Sequence, residues 1–161
     1  MSSTYGISDL SSIPVRTEPT EKSEMCTQIL LGEHFTILEE LPKWSKIKLQ
    51  YDGYEGWIDR KMVTPITKRE FIYLSEKPQT VSGEIFNIVQ QVDHYRNFLI
   101  VSGSTLPHFK PKKSTFKIAD IEYSIKGSIN NDQKNDDLRS KIINTALRYF
   151  NAPYLWGGRT P

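Results

Sequence analysis

Asp52-Gly53 constrains this chain more than any other pair of residues, because it stands between two runs that alternate in polarity. Before it, Ile47, Leu49 and Tyr51 alternate with Lys46, Lys48 and Gln50; after it comes the run Tyr54 to Ile58. A period of two puts successive side chains on opposite faces of a strand. An Asp-Gly loop between two such runs favours a two-residue type I′ turn, with both central residues at positive φ. That turn predicts a register in which Tyr51 faces Tyr54, Leu49 faces Gly56 and Ile47 faces Ile58. The second face then carries Gln50 with Glu55 and Lys48 with Trp57, and Trp44 shares its parity. Gly56 leaves room for Leu49. A carboxylate and two tryptophans are therefore expected together on the less apolar face.

The same pattern extends along the chain. Pro14-Val15-Arg16, Thr27 to Leu31, Phe35 to Leu38, Ser45 to Tyr51 and Tyr54 to Ile58 are separated by turn formers such as Gly32-Glu33. Short strands at this spacing predict a small all-β barrel over residues 1–66. Residues 67–135 read as a second small β unit. Its signals are the apolar run Phe98 to Val101, the alternating Phe116 and Ile118, and Ile121, Tyr123 and Ile125 before Gly127. Pro78, Pro107 and Pro111 argue against long helices there. The polar stretch Ser128 to Asp137 reads as a linker. Residues 136–161 open with a helix from about Asp136 to Phe150, with Leu138, Ile142, Thr145 and Tyr149 on one stripe and Ala146 and Phe150 beside it. Asn135 suits its cap, Asp136 and Asp137 its positive end, Arg148 its negative end, and Pro153 stops it.

Composition excludes several classes of function. Lys and Arg total 21 against 19 Asp and Glu, a net charge of +2, and they are scattered. No nucleic-acid footprint follows from that; the Lys110 to Lys113 cluster, broken by Pro111, reads as a solvated loop. Cys26 is the one cysteine of 161 residues and cannot form an internal disulfide; it reads as a small buried hydrophobe. His34, His94 and His108 lack partners at metal-ligand spacing, and no glycine-rich phosphate loop occurs, so neither a metal nor a cofactor is expected. No apolar run approaches the roughly 18–20 residues of a membrane span, and no charged-then-apolar leader follows Met1. The expected compartment is the cytoplasm, or the periplasm or exterior if an upstream signal is missing.

The motif Pro153-Tyr154-Leu155-Trp156-Gly157-Gly158, reached directly from a helix, resembles the entry to the NlpC-type papain-like murein peptidases. Residues upstream resemble the bacterial SH3-like domains attached to such enzymes, through Pro14-Val15-Arg16, Leu30-Leu31-Gly32-Glu33, Trp44-Ser45-Lys46-Ile47 and Asp52 to Ile58. The resemblance implies a mainly β protein of two small SH3-like barrels, at 1–66 and 67–135, followed by the first helix of an α+β papain-like domain that is incomplete at 136–161. It is most like the γ-D-glutamyl-L-diamino acid endopeptidases, and the family's nucleophilic Cys would fall just beyond Pro161. The chain alone is then expected to be inactive, with the rest of the peptidase portion and a murein stem peptide as its partners.

Within that resemblance Tyr154 is the accessory catalytic residue, its phenol directed at substrate or oxyanion. The alternative is a ring packed under the sheet. Glu55 would pair with the free amine of an N-terminal L-Ala, beside Trp57 and Trp44 as apolar walls; the alternative is a surface carboxylate next to Lys48. Trp156 is expected in the core or a pocket wall. A different class of function also fits these residues: a non-enzymatic module that binds cell-wall peptide or a protein partner through the Trp44, Trp57 and Glu55 face. A pure scaffold role for both β units, with the tryptophans as filling, is the third reading.

Overall fold

The structure, a computed structural model, describes residues 4–94, 96–127, 129 and 137–161. It is mainly β, with antiparallel sheets and two α-helices. Seven strands form the first sheet: β1 (Tyr5–Ile7), β2 (Ser12–Arg16), β3 (Met25–Leu30), β4 (His34–Glu40), β5 (Trp44–Leu49), β6 (Glu55–Asp59) and β7 (Thr64–Pro65). Their order is β3-β2-β6-β5-β4-β1-β7. Among the described residues this sheet is open rather than closed into a barrel, with β3 and β7 at its edges. Alternation works as the sequence predicts. Ile13, Val15, Ile29, Phe35, Ile47, Leu49 and Ile58 turn inward to form one apolar cluster, and removing that surface from water is what holds the sheet together.

The β5–β6 hairpin corrects the predicted register by two residues. Ile47 pairs with Gly56, Lys48 with Glu55, Lys46 with Trp57 and Trp44 with Asp59. The Leu49 N–H donates to Tyr54 O at 2.9 Å, and the Gly53 N–H donates to Leu49 O at 3.1 Å. The loop therefore spans Gln50 to Gly53 instead of Asp52-Gly53 alone. Only Gly53 takes positive φ, at 75°. The Asp52 carboxylate accepts the Tyr54 N–H at 3.1 Å, a local bond that Asp readily makes in turns and that supports the wider loop. A slip of one would have inverted both faces, whereas a slip of two leaves them intact. Tyr51 and Tyr54, placed on the apolar face by the narrower turn, instead ride the loop at 74% and 51% exposure.

Helix α1 (Lys68–Glu76) leads into the second β unit and was not foreseen. Its start carries a capping signature: Thr67 Oγ1 accepts the Glu70 N–H at 3.1 Å. Pro78 sets its end, because the residue before a proline is pushed out of helical geometry, and Lys77 is the C-cap. Glu70 Oε1 then meets His108 Nε2 at 2.6 Å, and the imidazole stacks on Tyr73 at 4.6 Å. These contacts fasten α1 to the segment at His108.

The second unit comprises β8 (Thr80–Val81), β9 (Phe86–Gln91), β10 (Asn97–Val101), β11 (Thr105–Leu106), β12 (Thr115–Ile118) and β13 (Ile121–Lys126). Four of these form a sheet of order β10-β9-β13-β12, and β8 pairs with β11. Leu74 of α1, Val89, Ile100, Leu106, Phe116, Ile118, Tyr123 and Ile125 are its buried core. Ile7 and Leu31, from the first sheet and the β3–β4 turn, belong to the same cluster. At that seam the Thr105 N–H donates to Leu31 O at 2.8 Å.

Helix α2 (Leu138–Leu147) has no buried residue. Asn135 and Asp136, expected at its cap, lie outside the described residues, as does most of the expected linker. Asp137 occupies the cap without a side-chain bond. On the predicted stripe Leu138 at 71% and Ile142 at 61% exposure face outward, as does Phe150 beside it at 77%, while Tyr149 is half-buried. Arg148, expected to serve the helix dipole, reaches instead to Gly83 O at 3.0 Å and to the Glu84 carboxylate.

Candidate functional site

The segment after α2 is where the chemistry-bearing residues of the sequence motif lie, and it is held by the first sheet. Tyr154 is 84% exposed. Trp156, expected in a core or pocket wall, is 63% exposed, and its indole N–H donates to the Glu24 carboxylate beside β3. Gly157 takes φ 69°, and a Cβ there would collide with the Met25 carbonyl oxygen. A residue without a side chain is needed for this approach. Segment and strand therefore touch through backbone.

Arg159 then closes the contact. Its Nη2 donates to Glu33 Oε1 at 2.6 Å and its Nη1 to Glu33 Oε2 at 2.7 Å, in the forked geometry that guanidinium and carboxylate share. The same Nη1 donates to Gln28 O at 2.8 Å, and the Arg159 backbone N–H donates to Gln28 Oε1 at 2.6 Å. The Tyr51 ring lies 5.3 Å from the guanidinium carbon, a cation–π distance. Burial works against the charge on Arg159, but the hydrogen bond and charge of Glu33 outweigh it, so its pKa moves upward. Sequence reading missed both residues. They stand far apart in the chain, and a long-range ion pair leaves no local signature.

A cleft of about 550 Å³ opens beside this pair, between the first sheet, α1 and the second unit. Glu33, His34, Gln50, Tyr51, Ser75 and Arg159 are among its walls. His34 Nε2 sits 3.0 Å from Ser75 Oγ, and burial lowers its pKa from 6.5 to about 4, against a weak opposing pull from Glu70. The imidazole is thus neutral at neutral pH and can both donate and accept.

The other candidate residues occupy the outer row of the β5–β6 hairpin. Cross-strand pairing sets Glu55 beside Lys48, Trp57 beside Lys46 and Asp59 beside Trp44, so Glu55, Trp57 and Trp44 share one face. Glu55 forms an ion pair with Lys48 at 3.4 Å, both side chains being about half exposed. Trp44 also lines a separate hollow of about 630 Å³ with Asp59, Arg60 and the loop at Pro19 to Lys22. Cys26 is partly buried, with its Sγ 3.4 Å from Val15 O. Burial raises its pKa in spite of backbone hydrogen bonds that lower it, so it is a thiol rather than a nucleophilic thiolate. Among the described residues no cluster of His, Cys, Asp or Glu is placed to share a metal ion, and no helix is long and apolar enough to cross a membrane.

Residues 15–62 match the family model of the bacterial dipeptidyl-peptidase SH3 domain. The fold is similar to that of an NlpC/P60 family protein from Bacillus cereus ATCC 10987, at a TM-score of 0.72 and 16% identity. That similarity covers 96% of this chain and 66% of the Bacillus protein. No curated protein matches the chain.

Proposed function

We propose that this chain is the substrate-shaping N-terminal portion of a cysteine endopeptidase. Its substrates would be murein-derived peptides with a free N-terminal L-Ala, cut at the γ-D-glutamyl-diamino acid bond. The observation that carries this reading is the seating of the Tyr154–Arg159 segment on the same β unit whose outer row bears Glu55, Trp57 and Trp44. A peptidase motif and an SH3-like surface are thereby built into one piece. The SH3-domain match and the NlpC/P60-like fold support the peptidase association. In this reading the nucleophile comes from sequence that follows the Trp156-Gly157-Gly158 motif, and residues 1–66, 67–135 and 136–161 are two SH3-like domains and the start of the peptidase domain.

Each residue then has a role. The exposed Tyr154 phenol donates to the substrate or to the developing oxyanion. Glu55 pairs with the substrate ammonium, displacing Lys48, which is a weak competitor because exposed ion pairs contribute little. Trp57 and Trp44 exclude water from one side of that pair.

The test uses the protein extended past Pro161. L-Ala-γ-D-Glu-diamino acid should be cleaved, with dependence on a downstream Cys. Glu55→Gln should raise KM about tenfold for substrates with a free amine and leave N-acetylated ones unchanged. Equal losses on both substrates would remove Glu55 from the site. Binding of stem peptide with no cleavage would instead favour a non-catalytic wall-binding module.

A further inference from the structure

Four acceptors converge on one residue of the tail. Glu33 Oε1 and Oε2, the Gln28 carbonyl and the Gln28 side-chain oxygen all receive N–H groups of Arg159, at 2.6–2.8 Å. The Glu33 carboxylate also has an anchor besides Arg159. The Glu33 side chain is 5% exposed, and its Oε2 also accepts the Leu30 N–H at 2.9 Å across the β3–β4 turn. Gln28 is buried within β3. A carboxylate removed from water is costly unless a cation meets it with good geometry. A planar guanidinium can satisfy both oxygens at once, whereas an ammonium offers only a point charge.

We propose that Glu33 and Gln28 form a guanidinium receptor on the β3–β4 turn, occupied in cis by Arg159, and that this receptor seats the Gly157-Gly158-Arg159 segment. Among the described residues α2 buries none, and Tyr154, Leu155 and Trp156 are all exposed, so polar contacts carry most of the seating. Specificity follows from the shape of the site. It takes the forked cation of arginine and leaves lysine poorly bound. The functional consequence rests on the reading above, in which Tyr154 inherits its position from this seat.

The experiment is amide hydrogen exchange on the full chain, read at Gly158 and residue 159. These amides should be protected in the wild type. Arg159→Ala should speed their exchange about 100-fold and leave the amides of β5 and β9 unchanged. Methylguanidinium should bind Arg159→Ala in a saturable way, read by calorimetry, without re-seating the untethered segment, and should not bind once Glu33→Gln is added. Arg159→Lys should recover little. Wild-type amides that exchange as in an unstructured peptide would overturn the proposal, as would protection that survives Arg159→Ala. So would methylguanidinium that does not bind Arg159→Ala saturably, which decides the matter even if Glu33→Gln does not fold. An unseated segment would also remove the geometric support of the peptidase reading, but hydrolysis by the extended protein decides that reading separately, so the two failures are distinguishable.

Discussion

The first sheet and the C-terminal segment are secured by opposite means. In the sheet, Ile13, Val15, Ile29, Phe35, Ile47 and Ile58 are wholly buried, and the polar contacts lie around them. In the segment from α2 onward the apolar side chains face outward. Among its attachments are the Arg148 contacts with Gly83 and Glu84, the Trp156 bond to Glu24 and the Arg159 contacts with Glu33 and Gln28. Apolar burial is non-directional and tolerates small shifts, whereas hydrogen-bonded ion pairs fix orientation. One region is built for cohesion and the other for placement.

Three substitutions test that contrast, in descending order of effect. Phe35 is fully buried, so Phe35→Ala should destabilise the chain by about 3–5 kcal/mol, measured by denaturant unfolding. A loss under about 1 kcal/mol would mean the core is not the source of cohesion. His34 comes next. Its folded pKa of about 4 lies below its ordinary 6.5, so the neutral form belongs to the fold. That contribution is complete above about pH 6.5 and is lost as pH falls through about 4, because the unfolded chain binds the proton first. His34→Gln should flatten the acid limb of stability between those values; an unaltered slope would assign it to other groups. Leu147, 61% exposed, should matter least: Leu147→Ala should change stability by no more than about 0.5 kcal/mol. A cost near that of Phe35→Ala would show that α2 is packed after all, and the contrast between the regions would collapse.

Legibility in the sequence divides along related lines. Strands β2, β5 and β6 are readable because each alternates around a one-sided core, and β3 and β4 because turn formers bound them. The hairpin turn was misjudged by two residues because Asp-Gly fits both the narrow loop and the wider one closed by the Asp52 side chain. Strand β9 was missed for a physical reason. Asn87 points inward, bonded to Ser82 Oγ and Lys126 O, while Phe86 and Ile88 point outward. Its polarity pattern is thus broken, with Asn87 beside Val89 on the inner face and two apolar residues on the outer one. Helix α1 carries its signal in Thr67 and Glu70, and Pro78, which argues only against a long helix, marks its end. The shared face of Glu55, Trp57 and Trp44 was legible because face parity survives an even slip. The Glu33–Arg159 pair was not, since only the folded chain brings its two ends together.

Ile7 and Leu31 are made of first-sheet sequence yet complete the second unit's core. During synthesis from the N-terminus they leave the ribosome well before Val89, Ile100 or Ile125 exist to cover them. The nascent first sheet therefore carries two uncovered apolar plugs until the second unit arrives, and a gene cut between the units would leave one piece with exposed plugs and the other with empty sockets. The seam acts as a checkpoint on assembly: neither half is finished until both have been made.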